Sequence, residues 1–173
     1  SLMAGVIGLI LVFAFMIIYY RIPGLAASIA LVMYTALVIV LLSAFNEEIT
    51  LTLPGIAGII LGIGMAVDAN CIIFARIREE IGAGKSVRTA IDAGFAKAFS
   101  AIIDGNVTTL IAAGVLYFIG SGTVKGFAQT LALGIVVSMF TALVITKNIL
   151  KSFYAVGLQD EKLYGKTVYT KTV

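Results

Sequence analysis

The 173-residue sequence has no histidine, no tryptophan, two prolines and one cysteine, Cys71, and only 12% of it is charged. Each scarcity closes a route. Without histidine there is no His-ligated metal site and no Ser-His or Cys-His catalysis. One cysteine builds neither a zinc cluster nor an internal disulfide. The net charge of +3 is too small and too scattered for a nucleic-acid surface. No metal, cofactor or catalytic residue is therefore nominated, and the chain is not read as an enzyme. What is abundant is apolar: 61% of residues are hydrophobic and the mean hydropathy is +1.11, against about 45–50% apolar and about 25% charged in soluble domains. That surplus belongs in a membrane.

Five apolar runs stand out, at 2–20, 25–45, 53–74, 95–119 and 126–150. Each is long enough to cross a hydrocarbon core of about 30 Å at about 1.5 Å per residue. Turn residues separate them: Arg21-Ile22-Pro23-Gly24, Asn46-Glu47-Glu48 and Gly120-Ser121-Gly122. The expected fold is an all-α polytopic bundle of five transmembrane helices over 1–150, with a cytoplasmic loop at 76–94 and a polar tail or linker at 151–173. The first run lacks the basic flank and cleavage pattern of a signal peptide and ends on Tyr19-Tyr20-Arg21, like a membrane interface.

Charge sets the expected orientation. Arg21, the 76–97 loop and the tail hold eleven of the twelve basic residues, and only Lys125 falls opposite, with Glu47 and Glu48. By the positive-inside rule the loop and tail are cytoplasmic and the N-terminus is outside. A chain that starts at Ser1 outside the membrane is expected to have lost an upstream span.

The loop carries its own signals. Residues 76–80 read as a polar extension of the third span, stopped by Gly82 and Gly84. Ser86 is an N-cap candidate, followed by an apolar stripe of Val87, Ala90, Ile91 and Phe95 opposite Arg88 and Asp92. The expectation is a short amphipathic helix lying on the membrane surface. Gly84-Lys85-Ser86 is not a phosphate loop, because that motif needs glycine where Glu79 stands and a strand before it; nucleotide binding is excluded.

Ionisable residues inside a span are functional candidates by default. Asp68 lies eight residues before Arg76 and Asp104 seven after Lys97, so both sit about 10–12 Å in from the same side. On antiparallel helices they are at matched depth and able to face each other. Gly64, Asp68 and Ile72 share one face, as do Ser100, Asp104 and Thr108. Asp68 is the candidate proton carrier: a carboxyl in this setting can load and release a proton as water access changes. Asp104 joins it in a relay, with Asn70, Asn106, Thr108 and Thr109 as polar surround. A structural acid bonded to Asn106 or a Thr across the interface is the alternative for Asp68. Gly58 and Gly62 on the third span, beside Gly64, and Gly126, Thr130, Gly134 and Ser138 on the fifth form small-residue stripes suited to close helix packing. Cys71 is read as packing. No Arg or Lys sits in the interior of a span, so a basic partner for the acid has to come from elsewhere.

Several longer motifs carry a family likeness. Leu51-Thr52-Leu53-Pro54-Gly55-Ile56-Ala57-Gly58 runs into Gly64-Met65-Ala66-Val67-Asp68-Ala69-Asn70. After it come Arg76-Ile77-Arg78-Glu79-Glu80, Ala90-Ile91-Asp92-Ala93-Gly94-Phe95, Asp104-Gly105-Asn106-Val107-Thr108-Thr109-Leu110 and Val124-Lys125-Gly126-Phe127-Ala128-Gln129-Thr130-Leu131. In this order, and over nearly the whole chain up to Leu150, they resemble the membrane domain of the SecD branch of the SecD/SecF protein-export membrane proteins. Ala66-Val67-Asp68-Ala69-Asn70 favours that branch over SecF.

The resemblance implies half of a membrane domain of the resistance-nodulation-division type, in an accessory to the Sec translocase that uses the proton gradient to help export preproteins. It implies six spans with a large external domain between the first two, of which this chain would hold spans two to six. It places the family's proton-carrying acid on Asp68 and its polar segment in the next span on Asp104 and Asn106. The implied partners are a SecF-like subunit or fused half, which supplies the missing base, the Sec translocon channel, and preproteins reaching the external domain. The implied location is the bacterial cytoplasmic membrane. Ala75 and Cys71 depart from the family pattern, which has Glu and an aliphatic residue there. Half of a small-molecule or lipid exporter, and a structural docking scaffold, are the competing functions.

Overall fold

The computed structural model describes residues 2–45 and 52–164. Five long helices account for most of it: α1 (Leu2–Tyr20), α2 (Ile22–Ala44), α3 (Leu53–Gly82), α4 (Val87–Ile119) and α5 (Thr123–Phe140). A π-helical segment, Thr141–Thr146, joins α5 to α6 (Lys147–Ala155), and a 3-10 turn follows at Glu161–Tyr164. Among the described residues there is no strand. Four stretches of the described residues are long and apolar enough to cross a membrane: α2, α3, α4 and the 33-residue run Thr123–Ala155. The Asn46-Glu47-Glu48 turn, and Lys166 and Lys171 of the tail, lie outside the described residues.

Local chemistry sets the helix ends. Pro23 and Pro54 stand in the first turns of α2 and α3, where a missing N–H costs nothing. Thr52 Oγ1 accepts from the Gly55 N–H at 3.1 Å, and Ser86 Oγ caps α4 by accepting from the Thr89 N–H at 3.4 Å. At the C-terminus of α3 the Lys85 N–H donates to the Glu80 carbonyl and the Gly84 N–H to the Ile81 carbonyl. Gly84 has φ +90°. This is the paired-bond cap that favours glycine at the left-handed position.

Helix α3 is the central element, with α5 along one side and α4 along another. The small stripes of α3 and α5 meet. A Cβ on Gly58 would stand 2.5 Å from Thr130 Oγ1, and one on Gly134 3.0 Å from the Tyr34 hydroxyl and 3.5 Å from the Gly62 Cα. Tyr34 of α2 is fully buried, and its hydroxyl is wedged between Gly62 and Gly134 with no hydrogen-bond partner. Gly64 stands apart: it is exposed, and a Cβ there would meet nothing within 4 Å. It belongs to the open face of α3 and not to the packing seam.

Two expectations are corrected at the loop end. Helix α4 is one continuous 33-residue element, so the amphipathic stretch is its first turns and not a separate helix on the membrane surface. Its stripe of Val87, Ala90, Ile91 and Phe95 is buried, sharing a cluster with Ile77, Ile81, Leu150 and Tyr164. Protein supplies the apolar surface that lipid was expected to supply. Gly94 does not break the helix. It lets α4 close on α3, where a Cβ would stand 2.8 Å from the Ile77 nitrogen. The second correction concerns the tail. Residues 151–155 continue α6, and Tyr164 returns to the core at 1% exposure with Leu163 packed beside it. A segment read as polar tail is, up to Tyr164, folded onto the bundle.

Ion pairs tie the same end together. The Glu80 carboxylate is gripped by Lys85, across the α3–α4 turn, and by Lys97 of α4. Asp92 of α4 meets Lys151 at 2.9 Å and Lys147 at 3.5 Å, both on α6. Hydrogen bonds from these lysines hold both carboxyls below the usual carboxylate range. Arg78 binds α1 as well, donating to the Tyr19 carbonyl at 2.8 Å with its guanidinium over the rings of Tyr19 and Tyr20.

Candidate functional site

Asp68 lies on the face of α3 that α5 leaves free. It is exposed, like Gly64 one turn before it. It lines a cleft of about 180 Å³ between α3 and α4, with Met65, Ala69 and Ile72 from its own helix and Ala101, Ile102, Gly105, Asn106 and Thr109 from the other. Gly105 leaves the α4 wall without a side chain opposite the acid. Asn106 anchors itself by donating from Nδ2 to the Ile102 carbonyl at 2.7 Å, and the Thr109 hydroxyl donates to the Gly105 carbonyl at 3.1 Å. Both polar residues are part-buried. The arrangement is a carboxyl in an open-sided notch, with an amide and a hydroxyl on the opposite wall.

Not every expected neighbour joins this notch. Asp104 is exposed and is not among the residues lining the cleft; its carboxylate accepts from the Ser100 hydroxyl at 3.5 Å. The Thr108 hydroxyl donates to the Asp104 backbone carbonyl at 2.9 Å, on that same side of α4. Gly105, Asn106 and Thr109 face Asp68, so at 100° per residue the Asp104 side chain is turned away. The two acids share a depth but do not face each other.

Asn70 is also elsewhere. It is two residues from Asp68, hence nearly opposite on the helix, and is 3% exposed. Its Nδ2 donates to the Ala66 carbonyl at 3.0 Å, and its Oδ1 accepts from the Thr146 hydroxyl at 2.9 Å. This bond between two buried side chains joins α3 to the π-helical segment, directly behind the helix that carries Asp68.

Thr146 was absent from the reading of the sequence, although a signal for it existed. The repeat Gly126, Thr130, Gly134, Ser138, Ala142 reaches Thr146 when extended by one more step of four. In an α-helix such a repeat drifts by about 40° per step. The wider π turn takes up part of that drift, and Thr141, Ala142 and Thr146 all stay buried. Arg78 and Tyr34 were missed because their roles depend on α1 and on the α3–α5 seam, which no local pattern announces.

Comparison with known proteins places this geometry. Residues 1–156 match the family model described as "Protein export membrane protein SecD/SecF, C-terminal". The protein translocase subunit SecD of Acidaminococcus fermentans is 57% identical over 150 residues, which cover 87% of this chain and 36% of that protein. The SecD of Synechocystis is 56% identical over 151 residues, 87% of this chain and 31% of that one. The chain thus spans about a third of the length of these relatives. A crystal structure of SecDF from Thermus thermophilus, described as a translocon-associated membrane protein, superposes with a TM-score of 0.85 at 42% identity, over 90% of this chain and 22% of that one. With its apolar helices, the chain is part of the multi-pass membrane architecture of bacterial inner-membrane proteins of this kind. It belongs to the SecD/SecF family of protein export membrane proteins, on the side of SecD.

Proposed function

We propose that this chain is the membrane-embedded part of a SecD-like accessory to the Sec protein translocase and that it couples proton flow to preprotein export, with Asp68 as the proton carrier. The observation that carries this reading is the placement of Asp68: a carboxyl at membrane depth that lines an open notch, while most other charges cluster at one end of the bundle. A carboxyl there exchanges its proton as water gains or loses access. Asn106 and Thr109 stand on the opposite wall of the notch, the polar side chains lining it there. Asp104, turned to the other side of α4, takes a second station in the relay and is not a direct partner.

The open side of the notch fits a SecF-like subunit or fused half that closes it and brings the base that no neighbouring residue supplies. The Sec channel and preproteins engage parts of the assembly outside this bundle. The N-terminus of α1 is external and the α3–α4 turn cytoplasmic.

The test is rescue of preprotein export in cells depleted of the native protein by the full-length protein carrying Asp68→Asn. Export falls to the depleted level, with membrane insertion unchanged. Normal rescue would leave the docking scaffold as the function.

A further inference from the structure

A second concavity lies at the charged end of the bundle, away from Asp68. It has a volume of about 330 Å³ and is lined by Arg88 and Ile91 of α4 and by Lys151, Tyr154 and Ala155 of α6. Its charge is unbalanced. Asp92 is shared by Lys147 and Lys151, while Arg88 has no ion-pair or hydrogen-bond partner among the described residues. Two cations, Arg88 and Lys151, therefore line a cleft whose remaining wall, formed by Ile91, Ala155 and the Tyr154 ring, is largely apolar.

Depth narrows the ligand. Lys151 and Tyr154 come within about 6 Å of Leu150 along the helix axis, where the last apolar run ends. Arg88 lies about 10 Å before Phe95, where the fourth begins. The headgroup layer adds about 5–8 Å on each side of the hydrocarbon core. Lys151 and Tyr154 are thus at the level of lipid phosphates and Arg88 is at its outer edge, with cations for the phosphate and an apolar wall for the glycerol and first acyl carbons. A basic pocket between helices on the cytoplasmic side is the usual form of an anionic-lipid site.

We propose that the cleft between the first turn of α4 and α6 binds the phosphate headgroup of an anionic phospholipid, with Arg88 and Lys151 as the phosphate ligands. The lipid bridges α4 to α6 beside the Asp92 ion pairs and fastens the base of the bundle to the inner leaflet.

The experiment is native mass spectrometry of the full-length protein in detergent with phosphatidylglycerol, phosphatidylcholine or inorganic phosphate. Phosphatidylglycerol is retained in preference to phosphatidylcholine. R88Q lowers that retention about fivefold and R88Q/K151Q about thirtyfold, from the electrostatic contribution expected per basic residue. R76Q, on the same side but away from the cleft, keeps it. R88Q removes no contact described within the chain, so its melting temperature in phosphatidylcholine nanodiscs equals that of the parent and separates lost binding from lost folding. Equal retention by R88Q and the parent, or equal retention of the two lipids, overturns the site. Inorganic phosphate raising the melting temperature as much as phosphatidylglycerol overturns the lipid as its ligand.

Discussion

The bond between Thr146 and Asn70 is the clearest case of a single residue holding two helices in register. Both side chains are buried, so removing the Thr146 hydroxyl takes from Asn70 Oδ1 its donor in a medium that offers no water. Thr146→Val keeps the shape, leaves Asn70 Oδ1 unsatisfied, and is expected to destabilise the bundle by about 1–3 kcal/mol. Thermal unfolding in detergent measures it, and an unchanged midpoint would refute the assignment. The glycines divide in the same way. Gly62→Ala drives a methyl into the immobile Tyr34 hydroxyl and is expected to cost about 1–3 kcal/mol. Gly64→Ala meets open space and is expected to be neutral or to stabilise by up to about 1 kcal/mol. Equal losses at both positions would show that the stripe is not what packs.

At the scale of elements, the α3–α4 turn and α6 form a charged clasp whose strength depends on pH. Glu80 and Asp92 have folded-state pKa values below their unfolded ones. Their contribution to stability is complete above the unfolded values, about 4.3 for Glu and about 3.9 for Asp, and is lost as pH falls through the lower folded values. Glu80→Gln with Asp92→Asn should therefore flatten the acid limb of the melting temperature against pH. A limb as steep as the parent's would place the acid sensitivity elsewhere.

The helices themselves were legible in the sequence, because apolar runs, the N-cap candidate Ser86 and the stopping glycine Gly84 are local signals. Asp68, Asn106 and Thr109 were legible as polar residues at one depth. What remained hidden was rotation. Depth follows from counting residues, but which side of α4 carries Asp104, or which side of α3 carries Asn70, depends on the neighbours that pack against each helix. The amphipathic start of α4 misled for a related reason: a stripe suited to a lipid surface is equally suited to Ile77, Ile81 and Tyr164.

For the molecule as a whole, the uneven packing of α3 has mechanical content. Its seam with α5 is sealed by close backbone approach, while its border with α4 widens into the notch around Asp68. On a Cys71→Ser background, a disulfide across the seam between Gly55→Cys and Thr130→Cys is expected to leave export intact. One across the notch, between Met65→Cys and Thr109→Cys, should abolish it until reduced. Loss of export with both would mean that α3 slides on α5 during work.

The Tyr34 phenol gives this asymmetry a further meaning. Its hydroxyl lies against the backbones of Gly62 and Gly134, so α3 and α5 close on a fully buried side chain from a third helix. Locking that pair into one rigid body confines conformational freedom to the side where Asp68 waits, so the tightest part of the molecule serves as its seal.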